Sequence, residues 1–206
     1  MALTKIDICN QALLKVGADM IASLDTSTSS TDAHIRSASL CNVFFDQALE
    51  ESIRVYPFNS CKKRAIPVKL SDAPTFEYKF AFLLPNDCIR VIDVFDNDNG
   101  YNDRLKYVVE GKNILCDTEK IYIKYAAAPA DITHLDSLAA QVVILKLALK
   151  LAYPMQLDDK IENSILKELE QVVLPYARSI DTFESSDYSQ PESEMLLSRY
   201  EDTPRF

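Results

Sequence analysis

Apolar residues recur every three or four positions in two stretches near the start of the chain, which predicts two amphipathic helices. Thr4 is suited to cap the first helix, and Gly17, which accepts a left-handed conformation, is suited to end it. A run of Ser, Thr and Asp over residues 25–32 predicts a loop. The second helix is predicted from about Asp32 to Pro57, with charged residues opposite a broad apolar stripe.

From Phe58 onward the pattern changes to short runs of Val, Ile, Tyr and Phe separated by Pro, Asn, Asp and Gly. This texture is typical of strands and turns. Residues 89–95 give the clearest strand, and residues 96–100 form a turn whose Asn, Asp and Gly tolerate positive φ. Returning segments at residues 105–109, 113–116 and 121–125 predict an antiparallel meander of four or more strands.

Helical periodicity returns in the last third of the chain. Residues 135–151 are apolar nearly all round, which predicts a central helix closed by Pro154. A fourth helix is predicted from about Asp158, again with one apolar side. Pro175 is expected to kink this helix or to end its regular part, because proline lacks the N–H that an α-helix needs.

These patterns predict an α+β fold with a helical bundle formed by both ends of the chain. Residues 1–58 and 131–183 form the bundle, and residues 59–130 form a central antiparallel β-rich insertion. Residues 184–206 are rich in Ser, Asp and Glu and form an extended C-terminal tail. We expect this tail to dock on a partner through its large apolar side chains, which are Met195, Leu196, Leu197, Tyr200 and Phe206.

Charge and composition narrow the functional classes. The chain has 22 Lys and Arg against 31 Asp and Glu, and the net charge of −9 opposes general attraction to nucleic acid phosphates. No apolar run reaches the roughly 20 residues needed to cross a bilayer, and the N-terminus does not resemble a signal peptide. Five widely spaced cysteines favour buried, reduced thiols over a disulfide framework or a zinc site.

The motifs of common catalytic and cofactor sites are missing from the sequence. Three glycines cannot build a Walker loop or a dinucleotide-binding turn, and no Gly-x-Ser-x-Gly elbow is present. His34 and His134 have no flanking cluster of metal ligands. Residues 96–100 superficially resemble a calcium loop, but Tyr107 stands where its bidentate glutamate belongs. We therefore expect no catalytic, cofactor-binding or metal-binding residues.

One basic cluster stands out, at Lys62, Lys63 and Arg64. It could face DNA in a channel or an acidic patch on a partner. The alternative is a solvated strand edge, whose lysines discourage unwanted strand pairing.

Several short motifs are similar to those of one viral family. The N-terminal third reads Thr4-Lys5-Ile6-x-Ile8-Cys9-Asn10, then Val16-Gly17-Ala18 and Ile21-x-Ser23-Leu24, and the second helix leads into Tyr56-Pro57-Phe58. Later landmarks are Phe76-x-Tyr78, Leu84-Pro85-Asn86-Asp87-Cys88-Ile89-Arg90-Val91 and Ile121-x-Ile123-x-Tyr125. Over residues 3–180 the chain resembles the phage tail tubular protein A family, which often has Trp-Pro-Phe where this chain has Tyr56-Pro57-Phe58.

This resemblance implies a structural virion protein with no catalytic residue to carry over. Members of the family form a dodecameric head-to-tail adaptor ring, which connects the portal to the tail nozzle and forms part of the DNA ejection channel. The implied partners are further copies of the chain, the portal protein and the nozzle protein, with a tail fibre or spike as a further candidate. DNA would pass without sequence-specific binding, and no membrane is involved.

The implied location is the neck or tail of a virion assembled from protein made in the host cytoplasm. Two alternatives remain open at this point. Another neck or tail-completion protein of the same particle would share every feature above. A tail-associated cell-wall hydrolase would need a convergent carboxylate or histidine site, which the sequence does not suggest.

Overall fold

Helices from both sides of the insertion pack around one central helix. The computed structural model describes residues 3–26, 32–97 and 104–184. Its helices are α1 (Lys5–Lys15), α2 (Asp32–Val55), α3 (Ser137–Ala152), α4 (Asp159–Lys167) and α5 (Leu174–Glu184), and a π-helical segment over Glu168–Val173 joins the last two. As predicted, α3 is central, because it contacts α1, α2, α4 and α5 and buries ten of its 16 residues. None of the described helices has the length and apolar character needed to span a bilayer.

The predicted first helix is confirmed together with its caps. The Thr4 hydroxyl accepts a hydrogen bond from the Asp7 backbone N–H, and the Asp7 carboxylate accepts one from the Thr4 N–H at 2.9 Å. This capping box satisfies two N–H groups that the first helical turn leaves unpaired. Gly17 follows the helix with a φ of +73°. Asn10 then fixes the next loop, since its side chain exchanges hydrogen bonds of 3.0 and 2.8 Å with the Ile21 backbone.

The β insertion contains two antiparallel sheets. The strands are β1 (Lys62–Ala65), β2 (Val68–Lys69), β3 (Phe80–Leu83), β4 (Cys88–Phe95), β5 (Val108–Glu110), β6 (Asn113–Cys116) and β7 (Tyr122–Ala127). The strand order is β1-β7-β4 in the three-stranded sheet and β2-β3-β6-β5 in the four-stranded sheet. The predicted simple meander is therefore wrong in its order. The last strand, β7, lies in the centre of its sheet because it carries buried side chains on both faces.

Two hydrophobic clusters share β7. Ala126 belongs to the cluster inside the helical bundle, where Ile89 and Ile92 of β4 also pack. Tyr125 and Ala127 belong to the second cluster, which fills the space between the two sheets. The α+β fold is confirmed, with the three-stranded sheet lying between the bundle and the four-stranded sheet.

After β4 the chain reverses direction and runs antiparallel to the end of that strand, as in a β-hairpin. Residues 98–103, which include most of the predicted turn, lie outside the described residues. On the far side Arg104 pairs with Phe95, and the Leu105 N–H donates to the Val94 carbonyl at 3.0 Å. The chain then crosses into the four-stranded sheet as β5, and Tyr107 packs against the second cluster.

The last helical run, formed by α4, the π-helical segment and α5, keeps one face buried because its helical twist changes in the π-helical segment. Its buried residues fall at every fourth position, at Ile165, Leu169, Val173, Ala177 and Asp181. In an α-helix each four-residue step drifts by about 40° around the axis, because a full turn takes about 3.6 residues. The wider π-helical turn cancels much of that drift. The irregularity predicted at Pro175 thus takes the form of a π segment before it, and the helix continues to Glu184.

Candidate interaction surfaces

The structure separates the three basic residues of the predicted contact cluster. The Lys62 ammonium donates to the Asn59 side chain and lies 3.7 Å from the Asp181 carboxylate. The Lys63 ammonium is 2.7 Å from the Asp87 carboxylate. Arg64 is exposed, and its side chain makes no hydrogen bond or ion pair with any residue in the described ranges. Of the three, Arg64 is the one best placed to meet a partner, and its role there stays a prediction.

Asp181 joins the end of the last helix to the start of the β insertion. One carboxylate oxygen accepts from the Tyr56 hydroxyl at 3.0 Å, and the other accepts from the Asn59 backbone N–H at 2.6 Å. The side-chain amide of Asn59 in turn donates to the Asp181 backbone carbonyl at 2.6 Å. The Asp181 side chain is about 10% exposed, so these contacts are largely shielded from water. Burial also raises the pKa of Tyr56, with the neighbouring carboxylate acting in the same direction.

The sequence pattern did not reveal Asp181, because an acid on an amphipathic helix is usually solvated. The signal that could have found it is its place in the series of buried positions at every fourth residue. That series is recognisable only once the π segment is known.

A second polar cluster lies at the start of β4. The Lys63 hydrogen bond holds the pKa of the Asp87 carboxyl below its usual value, and the same contact raises the pKa of Lys63. The Tyr125 hydroxyl donates to the other Asp87 oxygen at 3.2 Å. Asp87 thereby connects β1, β4 and β7 across the three-stranded sheet.

Lys63→Ala is expected to raise the pKa of Asp87 toward the ordinary value of 3.8, because the cation that stabilises the carboxylate is gone. A carboxyl whose pKa is lowered by folding adds stability above its unfolded pKa and loses it as the pH falls through the folded pKa. The Lys63→Ala variant should therefore lose less stability than the parent as the pH falls below about 4. NMR titration of the Asp87 carboxyl measures the shift directly. Lys5→Ala, which removes the partner of Asp46, serves as the control and should leave the Asp87 midpoint unchanged.

Two reciprocal arginine contacts fix the bundle against the insertion. The Arg54 guanidinium, near the end of α2, donates to the Ile89 carbonyl at 3.2 Å. The Arg90 guanidinium, on β4, donates to the Arg54 carbonyl at 3.1 Å. Both arginines therefore join α2 to β4 through hydrogen bonds to main-chain carbonyls.

The two faces of the four-stranded sheet differ, because one packs on the second hydrophobic cluster and the other is exposed only in part. Phe80, Phe82, Ile114 and Cys116 point toward the second hydrophobic cluster. The opposite face carries an apolar area that we call the sheet patch, formed by Val68, Ala81, Leu83, Val108 and Leu115. Val68 is 69% exposed and Leu83 is 42% exposed. Ala81 and Leu115 are only 5% and 8% exposed, so the accessible apolar surface of the patch is confined to Val68, Leu83 and Val108.

The last helical run carries a second exposed apolar area, which we call the helix patch. It consists of Val172, Tyr176 and Phe183, whose spacings of four and seven residues place them along one side of the helix. Phe183 is 81% exposed, Val172 61% and Tyr176 58%. The side chains of this patch lie beside the buried row rather than within it.

A groove of about 540 Å³ lies between α1 and α3. Leu14 and Ile144 supply apolar lining, and Gln11 and Gln141 supply polar lining. Lys15, at one side of the groove, is 2.7 Å from Glu168 of the π segment. No feature of the lining identifies an occupant.

Cys9 of α1 and Cys41 of α2 lie side by side in the core of the bundle, but neither belongs to a metal site within the described residues. Residues 3–26, 32–97 and 104–184 contain no cluster of three His, Cys, Asp or Glu side chains placed to hold a metal ion. All five cysteines are free thiols, and four are buried while Cys88 is half-buried. Burial raises the pKa of the Cys61 thiol, which keeps it protonated and unreactive.

The predicted tail contacts cannot be placed. Met195, Leu196, Leu197, Tyr200 and Phe206 all lie outside the described residues. No protein-family model matches the chain, and no curated protein is significantly similar to it.

Proposed function

We propose that this chain is a structural subunit of the head-to-tail adaptor ring of a tailed bacteriophage. In this role about twelve copies connect the portal to the tail nozzle and enclose part of the channel through which DNA leaves. The protein works by holding its neighbours in place and needs no catalytic residue or cofactor. The C-terminal tail contributes to docking on a neighbouring subunit or on the portal.

The observation that carries this proposal is where the motif residues lie in the fold. Asn10 fixes the loop after α1, Tyr56 binds the Asp181 carboxylate, and Asp87 links three strands. Ile89 and Tyr125 belong to the two hydrophobic clusters. The residues that carry the resemblance therefore hold the fold together. Residues of this kind are the ones expected to match between proteins that share an architecture but no catalytic chemistry.

Exposed apolar surface and net charge give further support. The sheet patch and the helix patch lie on different elements and offer contact areas for more than one neighbour. The net charge of −9 suits a channel wall, since an acidic surface does not hold DNA by its phosphates.

Cryo-electron microscopy of the particle that contains this protein tests the proposal. We expect density for the chain in a ring directly beneath the portal. Density elsewhere in the neck or tail would replace the adaptor assignment with another structural one. Absence of the chain from purified particles would contradict the proposal altogether.

A further inference from the structure

A row of charged side chains crosses the three-stranded sheet and holds more cations than acids. Strand register places Arg64 of β1 directly opposite Lys124 of β7, and Lys124 opposite Asp93 of β4. The Arg104 guanidinium follows, 3.4 Å from the Asp93 carboxylate. The row therefore contains three cations and one acid. Because like charges directly opposite each other destabilise a sheet, a further carboxylate beside Arg64 would stabilise this one.

The strand that carries Arg64 lies at the edge of its sheet. Within the described residues β1 pairs with β7 and with no other strand. In an antiparallel pair every second residue points its N–H and C=O away from the partner, so two of the four residues of β1 offer these groups on its outer side. Lys63 and Arg64 are both exposed. An extended segment with an acidic side chain matches the open edge and the excess of cations together.

The last helix ends beside the start of this edge strand. The Asp181 carboxylate accepts from the Asn59 N–H at 2.6 Å and lies 3.7 Å from the Lys62 ammonium. Because side chains alternate along a strand, Lys62 and Arg64 share one face of the sheet. Asp181 is therefore held on the face that carries the charged row, and α5 ends only three residues later, at Glu184.

The segment that follows α5 has the required charge and reach. Residues 185–194 lie outside the described residues, and in sequence they contain no Lys or Arg. Their acids are Asp187, Glu192 and Glu194. The three residues from Glu184 to Asp187 span about 10 Å when extended. Since Arg64 lies only about 7 Å along β1 from Lys62, the Asp187 carboxylate can reach it.

We propose that residues 185–190 add to the outer edge of β1 of their own chain, with the Asp187 carboxylate beside Arg64. The segment runs in the same direction as β1, because it leaves α5 at the start of that strand. Pro191 ends the pairing, since proline has no N–H to contribute to a strand ladder. This inference deepens the proposed function by fixing where the docking residues of the tail, within 195–206, leave the subunit. It rests on the proposed function only for what those residues bind.

Amide hydrogen exchange of the full-length protein, read by mass spectrometry, tests the contact. We expect residues 185–190 to exchange at least about 10-fold more slowly than an isolated peptide of the same sequence. Arg64→Glu and Asp187→Arg, each made alone, should reduce that protection by about 3- to 10-fold, because each places like charges side by side. Combining the two substitutions should restore most of the protection, since the pair is then reversed in sign.

The control is Lys160→Glu, which makes the same change of charge on an exposed cation at the start of α4. This variant should protect residues 185–190 as the parent does, and circular dichroism establishes that every variant is folded. A parent in which these residues are unprotected would overturn the proposal. Protection that survives Arg64→Glu would also overturn it, because the segment would then be held elsewhere.

Two further outcomes separate this contact from its alternatives. Protection that rises with protein concentration between about 1 and 100 µM would show that the segment binds a neighbouring copy, which overturns a contact within one chain. Unprotected residues 185–190, together with ring density beneath the portal, would reject the contact and keep the adaptor role. Protection that the combined charge reversal restores, together with particles that lack the chain, would do the reverse.

Discussion

Asp181→Ala is expected to lower the free energy of unfolding by about 3–5 kcal/mol. The substitution leaves the Lys62 ammonium partly buried without its counter-ion and the Asn59 backbone N–H without its acceptor. An unpaired buried charge costs several kcal/mol, and an unsatisfied buried N–H adds a further penalty of about 1–3 kcal/mol when no water replaces the acceptor. The junction between α5 and the β insertion should open first, because these contacts hold it closed.

Urea denaturation followed by circular dichroism measures this loss. Asp46→Ala is the matched control, because the Asp46 side chain is 74% exposed and pairs with Lys5 on the surface. We expect that control to change the stability by less than about 1 kcal/mol. Adding Lys62→Ala to Asp181→Ala should recover part of the loss, since the orphaned cation is then removed as well. An Asp181→Ala variant as stable as the Asp46→Ala control would show that the carboxylate does not hold the junction.

Deleting Gln171 in a Pro175→Ala background is expected to keep the protein folded, whereas deleting Ser179 in the same background is expected to lose about 3–5 kcal/mol. Both residues are exposed and both lie in the last helical run. A π segment accommodates one residue more than an α-helix without rotating the helix beyond it. Removing Gln171 should turn that segment into regular α-helix and leave Asp181 in place. Removing Ser179 rotates Asp181 by about 100° away from Tyr56 and Asn59.

The Pro175→Ala background is needed because the deletion would place proline inside a regular helix. There its missing N–H and the clash of its ring with the preceding turn cost about 3 kcal/mol. Unfolding free energies of the two deletions are compared with that of Pro175→Ala alone. Equal losses for the two deletions would show that the π segment does not act as an inserted residue.

The helices could be predicted from the sequence because their signals are local. Spacing of apolar residues, the Thr4 cap and Gly17 all lie within a few residues of the structure they specify. Four of the strands, β4 to β7, could also be located, but β2 and β3 could not, and neither could the order of the strands. Pairing of β1 with β7 joins residues about 60 positions apart, and no local pattern encodes such a contact.

The interaction surfaces were predictable only in part, for the same reason. The basic cluster at Lys62, Lys63 and Arg64 was visible in the sequence, but the acids that pair with two of its members come from distant segments. The sheet patch depends on strand register, which places Val68 and Leu115 on one face of a four-stranded sheet. Neither residue stands out in the sequence alone.

The sharing of β7 bears on how separable the two parts of the molecule are. Ala126 and Ala127 are neighbours in the chain, yet one completes the interior of the bundle and the other completes the interior of the insertion. Excising residues 59–130 would therefore strip a wall from the bundle, including the side chains of Ile89 and Ile92. The insertion is consequently not a detachable module, and a force applied to its far end would be transmitted through β7 directly to the packing around α3.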